Sequence, residues 1–261
     1  MNADAPILAT EGLAVSLGGR TVIEAISVVF RPGELLAVIG PNGAGKTTLL
    51  KALAGLLPPA AGMITLDGAL LGQVKPRLRA RRIAYLPQGH VFHWPMAVAD
   101  IVALGRLPHV AGLADLGRAD REAVDRAMEA TGITEFAERP VTTLSGGERA
   151  RVALARVLAV EADIVLADEP VASLDPRYQL TVLAILRDLA GAGRTVVAVL
   201  HDLGLAARQA DRMIVLSDGR LVADGAPDRV LDAALLRQVF GVEAYRAETG
   251  SGVVIVPWRV V

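Results

Sequence analysis

The hydrophobic positions of this chain fall into short runs that glycine, proline and aspartate interrupt. Four such runs lie in the first quarter of the chain, at residues 7–15, 21–30, 35–39 and 63–66. Each has the length and the alternating or continuous apolar character that is typical of a strand. Turn signals such as Gly18-Gly19 and Asp67-Gly68 separate them. The N-terminal part of the chain therefore predicts a β layer.

A helical pattern replaces the strands between about residues 97 and 156. Apolar residues recur at helical spacing over 98–106 and 120–131, and a further helix begins near Gly147. Strand signals then return at residues 164–167, 195–200 and 213–216, with a helical pattern over 177–190. This alternation predicts an α/β fold whose mainly parallel sheet is covered on both faces, with an inserted α-helical subdomain.

The predicted divisions of the chain are a core at 1–88 and 157–245, a helical subdomain at 89–156 and a short tail at 246–261. Hydrophobic residues make up 52% of the 261 residues, and the mean hydropathy is +0.44. The apolar runs are nevertheless far below the roughly 18 residues that cross a bilayer. We therefore expect a large buried sheet or a surface that docks on something apolar. The first six residues have no basic segment, so we predict no secretory signal.

The charge balance limits the possible partners. A formal net charge of -1 argues against a globally basic nucleic-acid binder, so we predict no nucleic-acid partner. The densest basic run consists of Lys75, Arg77, Arg79, Arg81 and Arg82. Because no aromatic platform accompanies it, we interpret it as a solvated helix face, with acidic headgroups as an alternative partner. The chain has no cysteine, which excludes disulfides and thiolate metal sites.

A glycine-rich loop follows the apolar run at 35–39 and leads into a helical pattern at 49–54. Glycines in this position turn backbone N–H groups toward a polyphosphate, and the helix N-terminus adds partial positive charge. Lys46 can then reach the phosphates, and Thr47 can hold Mg²⁺. The alternative is a turn before an ordinary helix. The predicted nucleotide-binding residues of the loop are Gly40, Pro41, Asn42, Gly43, Ala44, Gly45, Lys46, Thr47 and Thr48.

Two further positions carry candidate chemistry. Asp168 and Glu169 end the apolar run at 164–167, where open α/β sheets bind ligands, so Asp168 is suited to hold Mg²⁺ and Glu169 to activate water as a general base. Ser145 and Gly147 begin a helix and can bind an anion through the hydroxyl and backbone N–H groups. The alternative for Ser145 is an ordinary N-cap.

Three of the nine aromatic residues, Tyr85, Phe92 and Trp94, lie within ten residues of one another. Aromatic residues are enriched at protein–protein interfaces, so this cluster indicates either a contact surface or side chains that pack beneath their own loop. We do not expect His90 and His93 to form a metal site, because no third ligand lies at a suitable spacing.

These motifs together resemble the ATP-binding subunits of ABC transporters, in the family's order and over nearly the whole chain. Residues 40–47 resemble the Walker A loop, Gln88 the Q-loop glutamine, residues 144–148 the signature motif, residues 164–169 Walker B, residues 173–175 the D-loop and His201 the switch histidine. The resemblance implies a P-loop NTPase core with an N-terminal antiparallel β layer. It also implies ATP and Mg²⁺ as cofactors.

The resemblance further implies a head-to-tail homodimer in which Ser145 and Gly147 of one copy reach the nucleotide of the other. The implied catalytic residues are Glu169, His201 and Gln88, and the implied Mg²⁺ ligands are Thr47, Gln88 and Asp168. Leu17 stands where the family usually has an aromatic residue that stacks on adenine, so apolar contact, for example from Val22, would replace stacking. Glu148 stands where glutamine is commoner.

Partners and location also follow from the resemblance. It implies integral-membrane permease subunits, a periplasmic substrate-binding protein that acts through them, and a peripheral position at the cytoplasmic face of the inner membrane. Residues 102–109 resemble the corresponding segment in importers of ferric siderophores, haem and vitamin B12, which favours an importer. The alternatives are a soluble ABC ATPase that serves as an assembly factor and the ATPase subunit of an exporter.

Overall fold

The computed structural model describes residues 7–172, 174–249 and 252–261 of the chain. The strands are β1 (Leu8–Leu17), β2 (Arg20–Phe30), β3 (Leu35–Ile39), β4 (Ala61–Leu66), β5 (Ala69–Leu70), β6 (Ile83–Leu86), β7 (Ile164–Asp168), β8 (Thr195–Val199), β9 (Arg212–Ser217), β10 (Arg220–Gly225), β11 (Val242–Thr249) and β12 (Gly252–Val260). The helices are α1 (Lys46–Leu53), α2 (Pro76–Arg82), α3 (Val98–Ala103), α4 (Arg118–Ala130), α5 (Gly146–Leu158), α6 (Pro176–Gly191), α7 (Leu203–Gln209), α8 (Pro227–Val230) and α9 (Ala233–Phe240). Across the described part of the chain, no helix is long and apolar enough to cross a membrane.

The chain divides into two compact units. Unit 1 comprises Met1–Val74 and Arg187–Val261, and unit 2 comprises Lys75–Leu186. Unit 2 contains the predicted helical subdomain at 89–156 together with α2, β6, β7 and most of α6. The finer division at 89–156 stays a prediction.

Unit 1 contains the predicted antiparallel β layer. Its strands run in the order β2-β1-β4-β5, and Leu8 of β1 pairs with Phe30 and with Leu66. In a second sheet of unit 1, β3 lies parallel to both β8 and β9, while β10 is antiparallel to β9. All residues of β3 and β8 are buried, as expected for parallel strands that are covered on both faces. The predicted fold class is confirmed.

Unit 2 contains the parallel pair β6 and β7, with Ile83 opposite Ile164. Its helices α3, α4 and α5 bury one hydrophobic cluster that includes Val102, Val124 and Val152. These side chains recur at the helical spacing that the sequence predicted. The inserted segment therefore has a hydrophobic core of its own.

The basic run on α2 is more than the predicted solvated face. Nε of Arg77 and Nε of Arg81 donate hydrogen bonds to the carbonyl oxygen of Pro108 at 3.0 and 2.8 Å. Arg82 forms an ion pair with Asp163 at 2.5 Å. The helix buries no residue, as predicted for a solvated face, and three of its arginines in addition contact carbonyl or carboxylate groups distant in sequence. These contacts lie within unit 2, and acidic headgroups stay an untested alternative partner for the exposed basic residues.

The last forty residues of the chain contain elements that sequence analysis did not assign. After β10 the chain forms the short helices α8 and α9 and the antiparallel hairpin of β11 and β12. Exposed and half-buried residues alternate along β10, so its hydrophobic pattern in the sequence is weak. The segment treated as a tail from residue 246 is therefore mostly the second half of a hairpin.

Candidate functional site

The glycine-rich loop of unit 1 leaves the carboxyl end of β3 and enters α1 at Lys46. Gly40 has φ +150°, and a Cβ atom there would lie 2.1 Å from the carbonyl oxygen of Leu216. Gly45 has φ +96° and is the N-cap of α1. Glycine suits both positions because a side chain would be strained or would clash. The loop backbone thus has the geometry that a close approach to a ligand requires.

The N-terminus of α1 is suited to an anion. Its N-cap, Gly45, has no side chain with which to cap the helix, so the first turn keeps its affinity for negative charge. Nζ of Lys46 donates hydrogen bonds to the carbonyl oxygens of Gly40 at 2.7 Å and Pro41 at 2.8 Å. These two bonds hold the buried ammonium group of Lys46 against the carbonyl oxygens of the loop. A helix N-terminus, a glycine loop and a lysine fit a polyphosphate.

His201 lies at the same edge of the unit 1 sheet as the loop. β3 and β8 are adjacent parallel strands with Val38 opposite Val199, so Gly40 and His201 both follow the carboxyl ends of their strands. Asp202 then caps α7 by accepting a hydrogen bond from the backbone N–H of Leu205 at 2.8 Å. The fold therefore brings the predicted loop and the predicted histidine to one edge.

In unit 2 the acidic residues also follow the carboxyl ends of adjacent parallel strands. Leu86 of β6 pairs with Ala167 of β7, so Gln88 and the carboxylates that end β7 follow the ends of neighbouring parallel strands. Asp168 is completely buried. Glu169 has φ +54°, a left-handed conformation that is uncommon for a residue with a side chain and that concentrates at functional sites.

Tyr85 is a residue of this edge that sequence reasoning did not assign to it. Its hydroxyl group donates a hydrogen bond to Oδ2 of Asp168 at 3.2 Å. Burial raises the pKa of Tyr85, and the negative charge of Asp168 raises it further, so the phenol stays protonated as a donor. No sequence motif marks this contact. The available signal is the position of Tyr85 on a short strand that ends just before Gln88.

The oxygen donors of Thr47, Gln88 and Asp168 are of the hard kind that Mg²⁺ prefers. Among the described residues, no group of three or more histidine, aspartate or glutamate side chains could hold a metal ion. Mg²⁺ bound with a nucleotide needs only one or two protein oxygens, since phosphate oxygens and water complete its shell. The oxygen donors of Thr47 in unit 1 and of Gln88 and Asp168 in unit 2 are therefore of the kind that a nucleotide-bound Mg²⁺ takes.

The signature residues form the start of α5 as a capping box. Oγ of Ser145 accepts a hydrogen bond from the N–H of Glu148 at 3.3 Å, and Oε2 of Glu148 accepts one from the N–H of Ser145 at 2.7 Å. The backbone N–H of Ser145, and then its side chain, lower the pKa of Glu148. The N-cap interpretation of Ser145 is confirmed. Glu148 supplies the same carbonyl-type acceptor that the commoner glutamine would supply.

A cavity of about 340 Å³ lies beside this helix start. Its lining residues are Ser145, Gly147, Glu148, Arg151, Leu174, Asp175 and Tyr178. The guanidinium of Arg151 lies 4.6 Å from the ring centroid of Tyr178. The fold thus brings the signature motif and two residues of the D-loop to one concave surface, while Ser173 of the D-loop lies outside the described residues.

Leu17 lies at the turn between β1 and β2 and is 42% exposed. Val22 on β2 is half-buried, and its carbonyl oxygen would lie 3.1 Å from a Cβ atom on Gly45. An apolar strand therefore passes directly beside the phosphate loop.

Comparisons with known proteins agree with these features. A sequence profile described as ABC transporter matches residues 23–172. The hemin import ATP-binding protein HmuV of Streptomyces coelicolor is 46% identical over 255 residues, which are 97% of this chain and 90% of that protein. A structure described as a metal-chelate type ABC transporter in an inward-facing conformation has a TM-score of 0.83 at 28% identity and covers 98% of both chains.

A second solved structure is a dimer of the ATP-binding cassette MJ0796 bound to ADP and Pi. It has a TM-score of 0.76 at 26% identity and covers 84% of this chain and 98% of that chain. The profile spans more than half of this chain, and the identity to HmuV extends over nearly all of it. The chain therefore belongs to the ABC transporter family.

Proposed function

We propose that this chain is the ATP-binding subunit of an ABC importer, in which ATP hydrolysis by two copies drives uptake through separate permease subunits. Its family is one of ATPases coupled to transport. The observation that carries the proposal is a complete series of nucleotide motifs in a chain 46% identical to an import ATP-binding protein over 97% of its length. The same similarity favours an importer over an exporter or an assembly factor.

The loop at 40–48 binds the phosphates of ATP in this proposal. Its glycine backbone and the uncapped start of α1 accept the negative charge, and Lys46 moves its donors from the carbonyls of Gly40 and Pro41 to phosphate oxygens. Thr48 and the remaining loop residues position the backbone. Leu17 and Val22 supply apolar contact for the base.

Three residues carry out the hydrolytic step. Glu169 takes a proton from the attacking water, Gln88 positions that water, and His201 donates to the γ-phosphate as charge develops. Thr47, Asp168 and Gln88 would hold Mg²⁺, which would supply positive charge to the phosphate oxygens. The left-handed backbone of Glu169 supports this role because such conformations persist where the surrounding structure needs them.

Two copies of the chain complete the site. Ser145 and Gly147 of one copy contact the nucleotide that the other copy binds, through the start of α5. The dimeric cassette MJ0796 bound to ADP and Pi supports this arrangement. Closure of the dimer on ATP then becomes the mechanical step that a permease can use.

The cargo and location are proposed from the relatives. HmuV is named for hemin import, and the structural neighbour for metal-chelate transport, so haem is the first cargo to test within the group of ferric siderophores, haem and cobalamin. We place the chain at the cytoplasmic face of the inner membrane as a peripheral subunit. A periplasmic binding protein delivers the cargo to the permease.

The test is Glu169→Gln, which removes the proposed base while keeping the shape of the side chain. We expect ATP turnover to fall by about 10²–10³-fold or more, as for other well-placed catalytic groups, and ATP with Mg²⁺ to trap a dimer that sedimentation detects. Glu122→Gln, on the exposed face of α4, is the matched control. A Glu169→Gln protein that stays monomeric with ATP and hydrolyses it at the control rate would sink the shared-site proposal.

A further inference from the structure

Arg151 lies on the same face of α5 as the residues that begin this helix. It follows Gly147 by four positions and Glu148 by three, which are the spacings that bring side chains together on a helix. Its side chain lines the cavity beside the helix start. The hydrolytic step proposed above does not use it. Arg151 is thus a cation next to the signature motif without being part of it.

Two aromatic rings and one helix end lie around the guanidinium group of Arg151. Its Cζ atom is 4.6 Å from the ring centroid of Tyr178 and 5.8 Å from that of Phe136. Nη1 donates a hydrogen bond to the carbonyl oxygen of Gly132, just after the end of α4, at 2.6 Å. Nε is buried and has no hydrogen-bond partner among the described residues. Because ring faces attract a cation at these distances, the aromatic contacts compensate in part for the missing acceptor.

Tyr178 belongs to the first turn of α6, directly after the D-loop. Its backbone N–H donates a hydrogen bond to Oδ1 of Asp175 at 3.1 Å, so that Asp175 caps this helix start. Leu174 and Asp175 of the D-loop line the same cavity as Arg151. The contact between the guanidinium of Arg151 and the ring of Tyr178 therefore joins the signature helix to the helix that the D-loop begins.

We propose that Arg151 and Tyr178 are positioning residues that fix the spacing between the start of α5 and the D-loop. This inference rests on the proposed function. In the proposed dimer, Ser145 and Gly147 contact the nucleotide of the other copy, so the D-loop that shares their cavity lies close to the same interface. A fixed link lets one copy present both segments together, and closure then loses less conformational entropy.

ATP-driven dimerisation on the Glu169→Gln background tests this role. Tyr178→Leu should raise the ATP concentration for half-maximal dimer formation by at least about fivefold, because a cation–π contact is lost in each of the two copies. Tyr178→Phe keeps the ring face and should match the Glu169→Gln parent. Tyr245→Leu, which replaces an exposed tyrosine of unit 1, is the matched control. Sedimentation over a range of ATP concentrations measures the dimer fraction.

A double-mutant cycle tests whether the two side chains act together. Arg151→Gln also loses the hydrogen bond to Gly132, so its own effect on closure includes that loss. Tyr178→Leu should weaken closure in the parent but have little further effect in an Arg151→Gln protein, because the contact is already absent there. Arg118→Gln is the matched control, since the side chain of Arg118 is 92% exposed. Additive effects of the two substitutions would overturn the pair.

Measurements without dimer closure separate positioning from a loss of stability. In the nucleotide-free Tyr178→Leu protein, amide hydrogen exchange over 145–149 and 174–178 should become at least about threefold faster in both segments, because the contact no longer joins them. Binding of a fluorescent ATP analogue without Mg²⁺ should be unchanged, because neither residue belongs to the loop at 40–48. A contact that only stabilised unit 2 would lower the unfolding temperature and leave the ATP concentration for closure unchanged.

The outcomes separate this inference from the proposed function. Weaker closure in Tyr178→Leu, with faster exchange in both segments and normal closure in Tyr178→Phe, supports both. Faster exchange in both segments, with no ATP-driven dimer even in the Glu169→Gln parent, supports the link between the two helices and contradicts the shared ATP site. Unchanged closure or unchanged exchange in Tyr178→Leu, in a parent that dimerises with ATP, overturns the inference and leaves the proposed function intact.

Discussion

Tyr85 positions the most deeply buried carboxylate of unit 2. Asp168 has no exposed surface, and the hydroxyl of Tyr85 is 3.2 Å from its Oδ2 atom. A buried carboxylate without donors would be costly, so this hydrogen bond helps to satisfy and orient the carboxylate of Asp168. The sequence grouped Tyr85 with Phe92 and Trp94 as an aromatic cluster, whereas in the structure its hydroxyl contacts Asp168 from β6.

Tyr85→Phe removes only that donor. A hydrogen bond of about 1 kcal/mol corresponds to a change of about fivefold, so we expect the Mg²⁺ concentration for half-maximal ATPase activity to rise by that factor. The turnover at saturating Mg²⁺ should change less, because Tyr85 acts through Asp168. A Mg²⁺ titration measures both quantities. Tyr245→Phe on the exposed hairpin is the control, and an identical titration for the two variants would contradict the positioning role.

At the scale of elements, the segment at 102–109 holds the helices of unit 2 together. A Cβ atom on Gly105 would lie 2.3 Å from the carbonyl oxygen of Arg156, so only glycine permits this close packing on α5. Arg106 donates to Asp120 at 2.9 Å, to Glu161 at 3.0 Å and to the carbonyl oxygen of Ala159 at 2.8 Å. The resemblance to importers at this segment therefore involves residues with a structural role.

Arg106→Ala should be strongly destabilising. Removing one partner of a fully buried ion pair costs about 3–5 kcal/mol, and Arg106 should cost somewhat less because Asp120 and Glu161 are partly exposed. Arg118→Ala is a matched control, since its pair with Glu122 is exposed and is worth about 0.5 kcal/mol or less. Urea unfolding of both variants measures the difference. Equal losses of unfolding free energy would show that the Arg106 cluster contributes no more than a surface pair.

The same cluster has a pH signature. The hydrogen bond from Arg106 lowers the pKa of Asp120 below its ordinary value of 3.8. Because the pKa of Asp120 is lower in the folded state than in the unfolded state, its negative charge stabilises the fold. This contribution is present above pH 3.8 and is lost as the pH falls through the pKa of the folded state. In Arg106→Ala the free energy of unfolding should therefore fall less steeply as the pH drops through this range. Unfolding measured from pH 7 downward in both proteins checks the sign.

At the scale of the whole molecule, the aromatic loop divides between two roles. Phe92 is partly buried and packs against the helical cluster of unit 2, so the packing alternative from the sequence applies to it. Trp94 is 74% exposed and remains available to a partner. Packing beneath the loop thus holds for Phe92, and contact with a partner stays a prediction for Trp94.

Trp94→Ala should lower coupled uptake while leaving basal ATP hydrolysis unchanged, because the side chain lies on the surface and we propose that it contacts the permease. Aromatic anchors of interfaces commonly contribute 2 kcal/mol or more, so we expect a loss of about tenfold or greater in transport. Uptake of haem and ATPase activity in reconstituted vesicles measure both effects. Leu78→Ala, which truncates another exposed side chain of unit 2, is the control. Unchanged uptake in Trp94→Ala would contradict the contact.

Local pattern alone determined much of this protein. The loop glycines, the strand before them and the carboxylates that end β7 were predictable because backbone conformation and apolar periodicity depend on neighbouring residues. The bounds of α5 and α6 differ from the predicted ones by at most a few residues for the same reason. The short C-terminal elements were missed because their apolar pattern is brief and half exposed.

The tertiary structure alone decided which distant groups meet. Tyr85 and Asp168 are 83 positions apart, and Arg106 and Glu161 are 55 apart, so no local pattern specifies either contact. The arginines of α2 are a further example, since their partners depend on how remote segments pack. Sequence determined the local chemistry of the phosphate loop, because that chemistry is built into consecutive residues. The tertiary structure determined the hydrogen bond that orients Asp168 and which apolar side chains stay exposed, because both depend on long-range packing.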